Sequence, residues 1–335
     1  MNPGRSDRDL IFALATSKRA SKAVFVAASL RLADHLASGP KSVAQLARIT
    51  GTHAPSLHRL FRALASLGVF AEVAPRKFGL TAAAELLRER SETLRGAIMM
   101  NNDHFHEQAW DELLYSVRTG RPGFDRAHGR PLFAHLARDR RASAVFNRAM
   151  TDGALIPLSA VLDAYDFSGI KKLADIGGGH GVLMASILER YPKMQGLVYD
   201  QPSVVRGARR WLKLRGLASR CRALGGDFFK SVPEADGIIM SRIIHDWDDE
   251  RSRRILRNCR RALSAGGRLI VVEATIPPGN APALSKLLDL EMLVMTGGRE
   301  RTTDEFARLF KRSGFRLRRV IPAYAGVAVI EGIPA

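Results

Sequence analysis

The sequence predicts an α/β fold: a mostly parallel, Rossmann-like sheet in the C-terminal half, preceded by helices and a short hairpin. Three observations carry this. The apolar run Leu173-Ala174-Asp175-Ile176 breaks into Gly177, Gly178, Gly179 and Gly181 before helical periodicity resumes, the pattern of a strand, a tight turn and a helix start. Beyond it, short apolar runs alternate with helical segments, as parallel strands joined by crossover helices must. The chain then closes on two apolar runs, Phe315–Tyr324 and Val327–Glu331, joined at Ala325-Gly326, which reads as an antiparallel addition to the sheet edge.

The 335 residues suit about two domains and divide into three segments: 1–90, 91–163 and 164–335. The N-terminal Met1-Asn2-Pro3-Gly4-Arg5 has no signal-peptide core behind it. From Asp9 to Ser38 the apolar residues recur at helical spacing. The stretch Ala23–Leu30 carries little polar surface, so it is expected to be buried either in its own domain or, the reading favoured here, against a partner subunit in a homodimer. A helix at Lys41–Ala47, a turn at Gly51-Thr52, a helix from Ala54 to Leu67 and a hairpin over Val69–Val73 and Lys77–Leu80 make a winged-helix pattern. Its second helix offers Ser56, His58, Arg59 and Arg62 to a DNA groove. The hairpin has no basic cluster, so the module reads as a packing and dimerisation unit, and nucleic acid is not the expected partner.

The segment from Glu92 to Met150 is helical and rich in His, Met and aromatics. Core packing explains most of these, yet Asn101, His104 and His106, with Trp110, Phe146 and Met150, can line a pocket for a flat substrate. His104 and His106 stand two apart and face different ways on a helix, and no Cys or carboxylate cluster joins them, so no metal is expected.

With 52 basic against 33 acidic residues the formal charge is +19, which permits nucleic acid, anionic surfaces or acidic substrates. The arginines at 251, 253, 254, 257, 260 and 261 fall around a helix whose Ile255 and Leu256 face inward, and this reads as a solvated face. Two cysteines, Cys221 and Cys259, make no disulfide framework and fit a reducing cytoplasm as small core residues. No apolar run approaches the roughly 20 residues of a membrane span.

Ligands of open α/β sheets bind beyond the carboxyl ends of the strands. Here the successive strand ends deliver the glycine turn, Asp200, Asp227, His245 with Asp246, and Glu273. Val182 stands where a dinucleotide fingerprint would need its third glycine, which argues against NAD or FAD. Asp200, about twenty residues past the turn, is placed to accept both hydroxyls of a ribose. Asp227 either takes an adenine amine or caps its own helix. The ligand is then an adenosine compound without a pyrophosphate.

Taken in order, Asp175-Ile176-Gly177-Gly178-Gly179-His180-Gly181, Asp200-Gln201-Pro202, Gly226-Asp227-Phe228-Phe229, Arg242-Ile243-Ile244-His245-Asp246-Trp247, Glu273-Ala274-Thr275-Ile276-Pro277 and Gly298-Arg299-Glu300-Arg301-Thr302 resemble the S-adenosylmethionine-dependent O-methyltransferases of the caffeate, hydroxyindole and bacterial antibiotic-tailoring type. The likeness covers nearly the whole chain. It implies a class I methyltransferase sheet, a homodimer intertwined through the N-terminal half, and methyl transfer from S-adenosyl-L-methionine to an aromatic hydroxyl. By position it implies Gly177 and Gly179 at the cofactor, Asp200 at its ribose and Asp227 at its adenine, with Asp175, Gln201, Phe228, Ser241 and Arg242 in the same site. It implies His245 as general base, flanked by Glu273 and Glu300 and neighboured by Asp246. Met150 and Met292 would sandwich the acceptor ring, with Asn101, His104, Trp110 and Phe146 around it. A phenol is mostly protonated at neutral pH and needs a base at the moment of attack, a task suited to histidine.

Three departures stand out. Ser241 takes the place of a lysine found in plant members, His180 replaces a small hydroxyl residue, and the span from Glu273 to Glu300 is shorter than in plant relatives. Three other readings remain open on sequence. His245 can be a capping residue with Glu273 and Glu300 paired to Arg299 or Arg301; the cofactor can serve non-methylating chemistry on a polycyclic substrate; or the chain can be a DNA-binding regulator with a ligand-sensing domain.

Overall fold

The computed structural model describes residues 6–90, 93–155 and 158–335, and the side chains at all of these except 153–155. The reading of residues 1–5, and the start of the middle segment at Ser91 and Glu92, lie outside the described residues.

Two units emerge. The first runs to His104 and includes Arg148–Gly153; the second comprises Phe105–Asn147 and Ala154–Ala335. The expected middle segment, 91–163, is shared between these two units. Trp110 and His106 bond to Glu291 of the second unit, whereas Arg148 donates to the Arg90 carbonyl of the first.

The first unit opens with Asp7–Thr16, started by a Ser6–Asp9 capping box that satisfies two otherwise unpaired amides, followed by Lys18–Ser29 and Leu32–His35. Strand β1 (Lys41–Ser42) leads into the Val43–Thr50 helix, which ends at Gly51 in the left-handed region. The Ala54–Ser66 helix, β2 (Phe70–Ala74) and β3 (Lys77–Leu80) complete a small sheet in the order β1-β3-β2. The helix, turn, helix and hairpin thus stand in the expected order. Phe61 stacks on Phe78 at 4.6 Å and meets Phe70 edge-on, so the hairpin closes the core of its own helices.

Within the stretch Ala23–Leu30, Ala27 and Ala28 are buried in this unit's own core and Val24 and Leu30 pack against it, while Val26 stays exposed. A more exposed apolar helix is Asp7–Thr16, which buries no residue and leaves Leu10, Ile11, Phe12 and Leu14 at 40–65% exposure. Small alanines allow close helix packing within one chain; large exposed side chains on a helix with no buried face do not find that cover.

The second unit is built on a seven-stranded sheet: β4 (Lys172–Ile176), β5 (Gln195–Asp200), β6 (Cys221–Gly225), β7 (Ala235–Ser241), β8 (Leu263–Ala274), β9 (Phe315–Tyr324) and β10 (Val327–Pro334). Their order is β6-β5-β4-β7-β8-β10-β9. The first five are parallel, and the C-terminal hairpin joins antiparallel through β10 against β8. The hairpin therefore sits at the edge as expected. Side chains alternate between two cores as the pleat requires: Leu173, Ile239, Ile270 and Val329 face one, while Ala174, Ile238, Leu269 and Ala328 face the other. Both cysteines are buried and unpaired, and burial pushes each thiol up to about 12.

Candidate active site

Every expected strand-end residue of the second unit lies at the carboxyl edge of the parallel strands. After β4 the chain turns at Gly177 and Gly179, whose φ values of 72° and 56° belong to the left-handed region that favours glycine. The Gly179 amide donates to Asp200 Oδ2 at 2.8 Å, and the Gln201 amide donates to Asp200 Oδ1 at 2.6 Å. Asp200 thereby ties the end of β5 to the glycine turn. An added Cβ on Gly179 meets nothing within 4 Å, so the turn presents open backbone over that carboxylate. This cradle fits a polar, hydroxyl-bearing ligand.

Asp175 lies elsewhere than direct ligand contact would require. It is 1% exposed, packed under Gly178, and its Oδ2 has no hydrogen-bond partner among the described residues. Burial, reinforced by the neighbouring Asp200 charge, lifts its carboxyl to about 7. His180, unexplained by sequence, lies against Gly207, where a Cβ would come within 2.6 Å of its ring. Its charge also bears on Asp200. Asp227 caps the turn that follows β6, its Oδ1 accepting the Phe229 amide at 2.9 Å; a bond through one oxygen does not exclude the adenine role. Phe228 packs on Phe229 at 5.0 Å and on Trp247 at 6.1 Å.

After β7 the chain reverses sharply. Ser241 is the last residue of β7, and Arg242 has φ 54°, a left-handed conformation that costs a side-chain-bearing residue ~1–3 kcal/mol. A single 3-10 turn, Ile244–Asp246, then carries His245. Glu273, fully buried at the end of β8, supports this turn. Its Oε1 accepts three successive amides, from Ile243 (3.0 Å), Ile244 (2.8 Å) and His245 (3.3 Å). Its Oε2 stands 3.5 Å from His245 Nδ1. Glu300 completes the arrangement, with Oε1 2.8 Å from the same Nδ1. Nδ1 therefore donates its proton to Glu300, which leaves Nε2 as the open nitrogen; Asp246 Oδ1 is 3.9 Å from it.

The pKa values follow from this geometry. Burial alone pulls the His245 ring down, but the Glu273 charge, the Glu300 hydrogen bond and the Asp246 charge outweigh it and raise the ring to about 10. Burial raises Glu273 to about 7 and Asp246 to about 6, each partly offset by His245. Nδ1 of His245 and an oxygen of each of Glu273 and Glu300 lie within 4.8 Å of one another, so the same donors are close enough to share a cation.

The capping alternative for these acids does not hold. Arg299 pairs with Glu305 at 2.8 Å and Arg301 with Asp249 at 2.9 Å, leaving Glu273 and Glu300 to His245. Arg301, 1% exposed, also donates to the carbonyls of Ile244 and Trp247, which fixes the turn from behind. A Cβ at Gly298 would overlap the His245 carbonyl oxygen, so glycine is required there. Sequence reasoning missed both roles, and missed Asp289, whose Oδ1 accepts the Glu300 amide at 2.9 Å.

Asp289 lies on the helix Leu284–Met295, which also carries the buried Met292. Beside Met292, Glu291 accepts from Trp110 Nε1 at 2.6 Å and sits 2.7 Å from His106 Nε2. Phe146 meets Phe133 edge-on, and Phe133 stacks on Trp247 at 5.6 Å. The structure thus brings Trp110, Phe146 and Met292 into one unit with His245. Asn101 and His104 are exposed, whereas His106, two positions on and facing the other way, is buried. Met150 is partly buried in the first unit.

Comparison with known proteins gives two family matches, an O-methyltransferase domain over residues 110–316 and an O-methyltransferase dimerisation domain over residues 12–90. Phenazine O-methyltransferase PhzM of Lysobacter antibioticus is 42% identical over 97% of this chain and 96% of its own. The crystal structure of LaPhzM superposes with a TM-score of 0.93 at 41% identity, covering 99% of this chain and 100% of that one. CalO1, a methyltransferase of calicheamicin biosynthesis solved in its SAH-bound form, gives a TM-score of 0.84 at 35% identity over 99% and 100% of the two chains.

Proposed function

Because this chain belongs to the O-methyltransferase family, we propose that it methylates a phenolic hydroxyl of an aromatic small molecule, with His245 as the base that takes the hydroxyl proton. Its donor is S-adenosyl-L-methionine, which when bound supplies a methyl group already made electrophilic by a positive sulfur. Gly177, Gly179 and Asp200 would hold the donor, with Gln201, Ser241 and Arg242 on the same rim. Asp175 contributes from below through the turn it supports.

The observation that carries the proposal is the paired hold on one face of His245. With Nδ1 committed to Glu300, the neutral ring can only accept at Nε2. A proton taken there makes an imidazolium whose charge Glu300 and Glu273 already face. The raised basicity has a second consequence: the resting ring is protonated at neutral pH, and the active fraction grows as pH rises. The acceptor oxygen, once stripped of its proton, is the nucleophile, and the side chains of Trp110, Phe146 and Met292 are proposed to orient its ring. What remains for the protein is alignment and exclusion of water.

Replacing His245 by Ala tests this directly. Turnover of a phenolic acceptor is expected to fall about 10²- to 10⁴-fold while calorimetric binding of S-adenosylhomocysteine is kept. Unchanged turnover would remove His245 from the chemistry.

The dimerisation-domain match and the exposed face of Asp7–Thr16 support a homodimer. Ile11→Asp with Phe12→Asp is expected to shift the protein to monomer in sedimentation; a dimer that survives both would place the interface elsewhere. Among the described residues no helix is long and apolar enough to cross a membrane.

A further inference from the structure

The helix Asp249–Ala262 buries Ile255, Leu256 and Cys259 completely and turns its other face to an open groove of about 960 Å³. Six cations line it: Lys230, Arg253, Arg254, Arg257, Arg260 and Arg261. Arg251 joins them but is compromised by Asp248 at 3.9 Å, and Glu250 is the other acid on the rim. A merely solvated face would interleave acids with these arginines, as helices commonly do at one-turn spacing. Among the described residues no carboxylate pairs with Arg253, Arg254, Arg257, Arg260 or Arg261.

Several of these heads are nevertheless fixed in place. Arg254 donates through Nε to the Phe229 carbonyl at 2.8 Å, Arg260 through Nε to the Gly314 carbonyl at 3.1 Å, and Arg253 through Nε to the Asp249 backbone carbonyl at 3.3 Å. Bonding through Nε spares the terminal N–H groups of these three forks, whereas Arg261 spends one of its own on Asn258 Oδ1. Planar, pre-oriented guanidinium forks match the oxygens of phosphate better than any other side chain does. They recur along the helix at intervals of one turn, about 5.4 Å, so they meet a repeating anion along its length. Phe229, an aromatic ring in the same wall, adds the kind of surface on which bases stack.

We propose that this groove binds a chain of phosphates, either the backbone of a single-stranded nucleic acid or a free polyphosphate. The site is separate from the methyl-transfer machinery and uses none of its residues. It gives the unspent positive charge of the chain a defined location.

The test is fluorescence anisotropy of the full chain with labelled oligothymidylate, with inorganic polyphosphate and poly-L-glutamate as competitors. Three proteins are compared: the wild type, the groove variant Arg254→Glu/Arg257→Glu/Arg261→Glu, and a control of equal charge change, Arg118→Glu/Arg138→Glu/Arg222→Glu, at exposed positions that do not line the groove. S-adenosylhomocysteine binding by each variant reports that it is folded. The wild type is expected to bind the oligonucleotide with affinity that falls as salt rises. The groove variant is expected to bind about tenfold or more weakly, with the log–log salt slope reduced by about two, while the control stays within about twofold. Displacement by polyphosphate assigns the free chain as a ligand, and failure to displace assigns the nucleic acid; both support the groove. Equal losses in the groove and control variants would reduce the effect to net charge and overturn the proposal. Binding by neither phosphate ligand, or equal competition from poly-L-glutamate, would overturn it as well.

Discussion

Two groups of buried acids sit at the same edge of the sheet and are treated in opposite ways. Around His245 the three acids Glu273, Glu300 and Asp246 have cations within reach, the imidazole itself and the Arg242 guanidinium. Under the glycine turn, the charge that bears on Asp175 is that of another acid, Asp200. The first group is close to internally balanced, so its carboxylates can be spent on geometry: Glu273 holds a turn and Glu300 orients a ring. The second gives Asp175 no cation among the described residues, and burial lifts its carboxyl to about 7 instead. One cluster holds a ring in position, the other keeps an acid close to its neutral form beneath a turn.

The comparison breaks most visibly at Glu273. Changing Glu273 to Ala leaves three turn amides without their acceptor, each a loss of about 1–3 kcal/mol. The expected outcome is a clearly lower Tm together with a fall in kcat of tenfold or more, read by thermal denaturation and steady-state rates. A variant with wild-type stability and rate would mean that the turn holds itself.

A smaller effect of opposite sign is expected at Asp175. Its carboxyl is raised from an unfolded value near 3.9 to about 7, so the folded state loses stability as pH climbs through that window. Changing Asp175 to Asn removes the loss. The variant is expected to be more stable than the wild type by about 2–4 kcal/mol at pH 8, with the gain shrinking toward pH 4. Equal destabilisation at both pH values would show that the carboxylate makes contacts the amide cannot.

Much of this was readable in the sequence, and the limit is physical. Alternating apolar runs specify the strands, and the polar residue ending each run lies at the ligand edge because parallel strands share one direction. That is enough to find Gly177, Asp200, His245 and Glu273. It does not show what supports them. Arg301 and Gly298 act on the backbone of a turn more than fifty residues earlier, and neither has a local pattern that announces the contact. The pairing of His180 with Gly207 is hidden for the same reason. Periodicity also cannot tell an apolar helix that finds its cover within the chain, as Lys18–Ser29 does through Ala27 and Ala28, from one that leaves its large side chains bare, as Asp7–Thr16 does. Arg299 and Arg301 stood as credible partners for the two glutamates until their actual partners, Glu305 and Asp249, came into view.

The central claim is that His245 accepts the proton at Nε2 because Glu300 holds Nδ1. Its most direct test is the pH dependence of kcat/KM for one phenolic acceptor, measured for the wild type and for Glu300→Gln. Both rates are expected to rise with pH as the ring loses its proton, with the wild-type midpoint well above the ordinary histidine value of about 6.5. Removing the Glu300 charge lowers the ring's affinity for a proton, so the variant's midpoint is expected at lower pH, with a reduced plateau from the less firmly held ring. Coincident midpoints in the two proteins would contradict the account and assign the titration to the acceptor's own hydroxyl.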